Sequence, residues 1–233
     1  MKLVNYKQKK NKIALIVLIA VNTLAVATDT SAACSLDLKN GYGPFDFYDS
    51  NSNLPTGADP MGKIRRVTNV HLSKKMLLLT GRATGTISGD LDYTLRAIPN
   101  HPEGLNLASR LEARLRSPTK SSLFLYEKMK RSANCYFERA IKFAPYAETY
   151  VIYGIHLHRN NKFQEAKEAY LKAIELGQKN YANTHYNLAL TLVKLEEYPL
   201  SEKHAKIAYK LGYPLKGLKR QLNKHGYCKS GCN

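Results

Sequence analysis

Residues 147–180 read AETYVIYGIHLHRNNKFQEAKEAYLKAIELGQKN, and residues 182–213 read ANTHYNLALTLVKLEEYPLSEKHAKIAYKLGY. The two stretches align at an offset of about 35 residues, a period typical of proteins built from stacked helical repeats. Small side chains recur at matching places in the two copies: Gly154, Ala166 and Ala173 in the first, and Ala189, Ser201 and Ala208 in the second. This pattern predicts that each copy is a pair of closely packed helices.

The pattern resembles the tetratricopeptide repeat (TPR), a pair of antiparallel helices of 34 residues. Small residues at its eighth, twentieth and twenty-seventh positions let the two helices approach closely. The resemblance implies an all-α fold, a short α-solenoid of TPR-like helical hairpins of the small exported type. The best repeats are 147–180 and 182–214, degenerate repeats are expected over 90–145, and residues 215–225 are expected to form a C-terminal capping helix.

Two segments precede the repeats. Residues 34–66 are rich in Gly, Pro, Asn, Asp and Ser, which are turn-forming residues, and we expect an irregular arm whose aromatic side chains pack on the helices. The TPR-like domain then covers 67–233. Apolar side chains between Val67 and Leu79 are spaced as on one helix that ends near Gly81.

Residues 1–33 have the pattern of a secretory signal peptide. Basic residues precede an apolar run, Ile13 to Ala27, which is shorter than the about 20 residues that a membrane span needs. Cleavage is predicted after Ala27 or Ala33. We therefore expect an exported protein, periplasmic or secreted, with a lipid anchor on Cys34 or an uncleaved signal as the alternatives.

Four cysteines, an even number, are expected to form disulfides in an oxidising compartment. The candidates are Cys34, Cys135, Cys228 and Cys232. Three pairings are open. Cys228 and Cys232 are close enough to pair locally, although such a hook could also belong to a metal or redox site.

The chain is strongly basic, with 36 Lys and Arg against 18 Asp and Glu. Without residues 1–33 it keeps 31 basic and 17 acidic residues, a net charge of +14. Export argues against nucleic acid as the partner and favours an acidic protein, an anionic membrane or an envelope polymer. A basic surface is predicted at Lys216, Lys219, Arg220 and Lys224, which could instead serve only for solvation.

The resemblance also implies a binding groove, because the first helix of each TPR lines the concave face. The partner-binding residues implied in this way are Val151, Ile155, His158, Arg159, Tyr186, Asn187, Leu190 and Lys194. Their mixed apolar and basic character would suit a protein or peptide ligand with acidic character. They could equally be the solvated face of a purely structural solenoid.

Few residues suggest catalysis. Asp90, Asp92 and His101 could in principle act as a hydrolase site, but Asp90 is also typical of a helix start. No metal or cofactor is expected, since His156 and His158 are two residues apart rather than four. The function predicted is therefore a non-enzymatic adaptor that binds a partner in the groove. The alternative is an envelope factor held by its basic clusters, and the third candidate is the hydrolase.

Overall fold

The computed structural model describes residues 34–119, 122–229 and 231–232. Within these ranges every regular element is helical, which confirms the prediction of an all-α fold. The α-helices are α1 (Lys63–His71), α2 (Lys74–Leu77), α3 (Ile87–Ala97), α4 (Pro102–Arg116), α5 (Ala133–Phe143), α6 (Ala147–Arg159), α7 (Phe163–Glu175), α8 (Ala182–Lys194), α9 (Tyr198–Lys210) and α10 (Gly217–Lys224). The predicted signal peptide, residues 1–33, lies outside the described residues.

Helices α6 and α7 form one hairpin and α8 and α9 form the next, and α7 packs against α8. Both hairpins turn in the same way. Asn161 and Glu196, which are equivalent in the two copies, have left-handed φ values of 59° and 60°. In each turn a backbone amide bonds back to the helix end, from Lys162 to the Leu157 carbonyl at 3.0 Å and from Glu197 to the Leu192 carbonyl at 2.9 Å. The repeat seen in the sequence is therefore a repeat of backbone geometry.

The single helix predicted from Val67 to Leu79 is wrong, because α1 ends at His71 and α2 begins at Lys74. The Ser73 hydroxyl accepts a hydrogen bond from the Met76 amide at 3.3 Å and so caps a new helix. The His71 imidazole meets the Asp90 carboxylate, with Nδ1 and Oδ1 2.8 Å apart. These tertiary and capping contacts outweigh the helical spacing of the apolar residues.

The last helix covers the end of the stack. Leu218 and Leu222, four residues apart on α10, are fully buried among side chains of α8 and α9. Without α10, the outer apolar faces of α8 and α9 would be open to water.

The segment before α1 is held against the helices, as its aromatic residues predict. Phe45 packs on α1 and α3, and its backbone amide donates to the Ala97 carbonyl at 2.8 Å. The guanidinium of Arg139, which is 2% exposed, donates to the Ser35 and Asp37 carbonyls at 2.6 and 2.5 Å. The arm is thus an ordered part of the structure over its described length.

Candidate functional site

The site begins with an unusually close contact between α6 and α7. Gly154 on α6 faces the ring of Tyr170 on α7, and a Cβ atom at Gly154 would lie 2.6 Å from the ring atom Cε1. Tyr170 is 1% exposed, so the ring is fixed between the helices. Glycine at this position lets the two backbones approach and places Tyr170 beneath the surface between α6 and α8.

A small cavity of about 60 Å³ lies over this ring, lined by Ile155, His158, Tyr170, Asn187 and Leu190. We call this surface the groove. Four of its five lining residues are among the partner-binding residues that the TPR resemblance implied. Ile155 and Leu190 supply apolar walls, and among the described residues the Asn187 side-chain amide has no hydrogen-bond partner.

The two helices of the groove are joined by a polar contact. Nδ1 of His158 on α6 lies 2.8 Å from the Thr191 hydroxyl on α8. Burial lowers the pKa of His158, and the positive charge of Lys194 lowers it further. Lys194 itself is exposed at the end of α8. The groove therefore has a neutral imidazole in its wall and an ammonium group at its rim.

A second cation lies at the opposite side of α6. Arg159 bonds through its guanidinium to the Ser109 hydroxyl of α4, and the same hydroxyl lies 3.0 Å from Nδ1 of His156. Burial lowers the pKa of Arg159 and the nearby charge of Arg110 lowers it further, while Tyr170 raises it. Two guanidinium groups are thus close to each other where α4 meets α6. Positive charge thus lies near His158 on the side of α8, at Lys194, and on the side of α4, at Arg159 and Arg110.

Two implied groove residues lie elsewhere. Val151 is 6% exposed and belongs to the core of α6–α8. Tyr186 is 5% exposed, stacks on Tyr213 with 4.0 Å between ring centroids, and accepts a hydrogen bond from the Leu218 amide at 3.3 Å. Both side chains are buried in contacts within the fold. Of the implied residues, only Ile155, His158, Asn187 and Leu190 line the cavity.

Sequence reasoning gave Tyr170 no role in this face, and it identified Arg110 only as part of a basic cluster and not as a groove residue. Tyr170 is on the second helix of its repeat, whereas the resemblance points only to first helices. Gly154 was the available signal for Tyr170. A glycine at the small-residue position of the first helix leaves room for a large side chain of the second helix close to the backbone. Arg110 belongs to a degenerate repeat whose register the sequence did not establish.

A second cavity, of about 730 Å³, lies at the C-terminal end of the stack. Three residues of the predicted basic surface, Lys216, Lys219 and Arg220, line it together with Tyr209, Tyr213, Pro214, Asn223 and Cys232. Lys224 is exposed and is not part of the lining. The structure thus brings together three of the four residues.

The structure argues against the hydrolase candidate, because its three residues are held by structural contacts. The Asp90 carboxylate accepts hydrogen bonds from the Thr84 and Gly85 amides at 2.9 and 3.0 Å. Burial opposes ionisation, but these bonds and those from His71 and the Thr84 hydroxyl lower the pKa of Asp90.

The other two members of that candidate are also held by structural contacts. Asp92 pairs with Arg96 and Arg131 and accepts from the Tyr136 hydroxyl at 2.8 Å. His101 caps α4 by accepting from the Gly104 amide at 3.3 Å, and burial lowers its pKa to about 4.

The four cysteines form two disulfides, Cys34–Cys135 and Cys228–Cys232, which confirms that they are bonded. The first joins the arm to α5 across 101 residues, and the second closes the C-terminal hook. Two disulfides are typical of an oxidising environment such as that of exported proteins. Among the described residues, no helix is long and apolar enough to cross a bilayer.

No family model matches the chain. Two curated proteins, both named Protein O-mannosyl-transferase TMTC3, from Mus musculus and Homo sapiens, are each 35% identical to it over 107 residues. The matched part covers 45% of this chain and 10% of each relative, so the chain spans about a tenth of their length. The match is to a protein that contains TPRs and is consistent with TPR-like helical repeats here.

These relatives also correct one expectation. The missing sequence motifs suggested a protein without enzymatic activity, whereas both relatives bear the name of an enzyme. That name overturns the expectation drawn from the motifs. Function depends on the geometry and chemistry of a site, so the absence of short sequence motifs was a weak guide.

Proposed function

We propose that this chain is a protein-interaction scaffold that binds an acidic segment of a partner protein in the groove between α6 and α8. The observation that carries the proposal is the cavity formed by Ile155, His158, Asn187 and Leu190, with Tyr170 at its base. Helix–helix grooves of this kind accept an extended or helical segment through a few side-chain anchors. We place this binding in an oxidising, exported setting because of the two disulfides.

The chemistry of the groove favours a particular kind of segment. Ile155 and Leu190 can receive one apolar side chain, and the Asn187 amide can both donate to and accept from the backbone of the ligand. Because the cavity holds only about 60 Å³, one small anchor would fill it. Affinity beyond that anchor must come from the rim.

The rim supports an acidic ligand. Lys194 is close enough to His158 to lower its pKa, and Arg159 and Arg110 are close to each other on the far side of α6. Positive charge on both sides of an apolar cavity attracts a segment in which Asp or Glu flanks an apolar residue. The imidazole of His158 stays neutral near pH 7 and therefore adds no charge of its own.

A charge reversal at the rim tests the proposal. Short fluorescent peptides in which Asp or Glu flanks one Leu are screened by fluorescence anisotropy, with peptides carrying Gln in place of the acids as a reference. We expect acidic peptides to bind and Lys194→Glu to weaken them about tenfold, because the rim charge is reversed while the exposed side chain has no role in the core.

Lys210→Glu is the matched control, since Lys210 is also exposed in the last turn of a helix but lies on α9. It should change the affinity by no more than about twofold. If acidic peptides bind no better than their Gln counterparts, or if both variants lose affinity equally, the groove is not the binding site.

A further inference from the structure

The cavity of about 730 Å³ at the C-terminal end has the size of a small-molecule site. Its walls are held in place by the fold. The Tyr209 hydroxyl donates to the Leu215 carbonyl at 3.1 Å and accepts from the Lys219 amide at 3.1 Å. The ring of Tyr213 is stacked on Tyr186. A ligand would therefore meet aromatic walls that need no rearrangement.

The cations of this cavity share one face of α10. Lys216 precedes the helix, and Lys219 and Arg220 follow three and four residues later, which is the spacing of neighbours on a helix surface. Leu218 and Leu222 occupy the opposite, buried face. Because the leucines fix the rotation of α10, the fold itself directs the positive side chains to the cavity.

Few acidic residues lie near Lys216 and Arg220 in the sequence. Residues 203–233 contain eight Lys or Arg and no Asp or Glu. The preceding acid, Glu202, already accepts from the Cys228 amide at 2.9 Å and pairs with Lys206 at 3.2 Å. Among the described residues, neither Lys216 nor Arg220 forms an ion pair.

We propose that this cavity binds a phosphate monoester, with Lys216 and Arg220 on the phosphate and the rings of Tyr209 and Tyr213 against its organic body. A phosphate monoester carries a charge between about −1.5 and −2 at neutral pH, whereas a single carboxylate carries one negative charge. The planar guanidinium of Arg220 matches two phosphate oxygens at once. The aromatic walls leave room for an apolar group that bare phosphate does not have.

A phosphate monoester has two sources, a soluble phosphate ester and the headgroup of phosphatidic acid at a membrane. Phenyl phosphate is the soluble probe, titrated by calorimetry, with inorganic phosphate as the reference without an organic body. Vesicles containing phosphatidic acid are the lipid probe, used in sedimentation beside vesicles of phosphatidylcholine alone. We expect saturable binding of at least one of the two monoesters, and weaker binding of inorganic phosphate.

The decisive variant is Lys216→Gln/Arg220→Gln, and the matched control is Lys203→Gln/Lys210→Gln. Both pairs remove two charges from exposed positions of the same acid-free segment, but only the first pair lines the cavity. The first pair should lower the affinity for the probe at least tenfold. The control should lower it about threefold or less, because the control removes only long-range attraction. Thermal unfolding of both variants shows whether each remains folded.

The outcome also identifies the source. If phenyl phosphate binds and the cavity variant loses that binding while the control keeps it, the ligand is a soluble ester. If only phosphatidic acid vesicles show this pattern, the ligand is a lipid headgroup. If neither probe binds, or if the two variants weaken binding equally, the cavity is not a phosphate site. The groove residues are unchanged in these variants, so the peptide-binding proposal is tested separately.

Discussion

Gly154→Ala is the most informative single change in the repeats. A methyl group at Gly154 would lie 2.6 and 2.7 Å from atoms Cε1 and Cζ of Tyr170, distances that Cβ atoms do not tolerate. Tyr170 is almost fully buried, so its ring can move only by disturbing α7 or α8. In the next repeat the equivalent pair is Ala189 and Ala205, where a Cβ atom is already present.

Two opposing effects determine the magnitude. Replacing glycine by alanine inside a helix stabilises it by about 0.8–1.0 kcal/mol. Overpacking a filled core typically costs about 1–3 kcal/mol, and contacts as short as these belong at the upper end. The expected net result for Gly154→Ala is a decrease of about 1–2 kcal/mol in the free energy of unfolding. For a chain of this size the melting temperature should fall by several degrees.

The assay is equilibrium unfolding in urea, followed by far-ultraviolet circular dichroism. Ala189→Gly is the control in the neighbouring repeat. It should destabilise by about 1–2 kcal/mol, because lower helix propensity and the loss of a fully buried methyl group act in the same direction there. In a Tyr170→Ala background, Gly154→Ala should become stabilising, since the ring that it would meet is gone.

The same exchange of glycine for alanine is thus expected to have opposite signs in adjacent repeats. A Gly154→Ala variant at least as stable as the original protein would refute the reasoning. So would an equal loss of stability with and without the ring of Tyr170, because the cost would then not come from the contact between α6 and α7.

Two further predictions concern stability. Removing the Cys34–Cys135 disulfide by paired Ala substitutions should cost about 4.7 kcal/mol, and removing Cys228–Cys232 about 1.9 kcal/mol, because the closed loops differ so much in length. Urea unfolding without reductant measures both, and equal losses would contradict the loop-entropy argument. Chiefly through burial, the pKa of His204 falls from 6.5 to about 4, so the unfolded chain binds the proton more readily. The contribution of His204 to stability should therefore be complete above about pH 6.5 and be lost toward pH 4. The pKa values of His101 and His156 are also lowered to about 4, so His204→Gln should reduce the decline of the urea midpoint with falling pH without abolishing it.

The repeats were the most predictable part of the fold. Matching small residues at Gly154 and Ala189 are enough to place α6 and α8, because close helix packing demands small side chains at the contact. The prediction of a single helix from Val67 to Leu79 was wrong for a reason that sequence periodicity does not show. Periodicity measures only which face of a segment is apolar, whereas the break before α2 depends on the Ser73 cap and on the contact of His71 with a residue of α3.

The groove was only partly predictable for a similar reason. A repeat position specifies the direction of a side chain from its helix, but not what covers it. The TPR resemblance implies that Tyr186 belongs to the groove, yet Tyr213 and the start of α10 cover its side chain. Ile155 and Leu190 stay partly exposed because no comparable element of the described part of the chain crosses between α6 and α8 there.

By itself, the sequence determined that this protein is a stack of helical hairpins with a basic C-terminal end and cysteines suited to an oxidising compartment. These properties depend on spacing, composition and count, which a linear chain displays directly. Only the tertiary structure decided which cysteine pairs with Cys34, where Tyr170 lies, and which lysines meet at one cavity. Such contacts join residues far apart in the chain, and their geometry is established only when the helices pack.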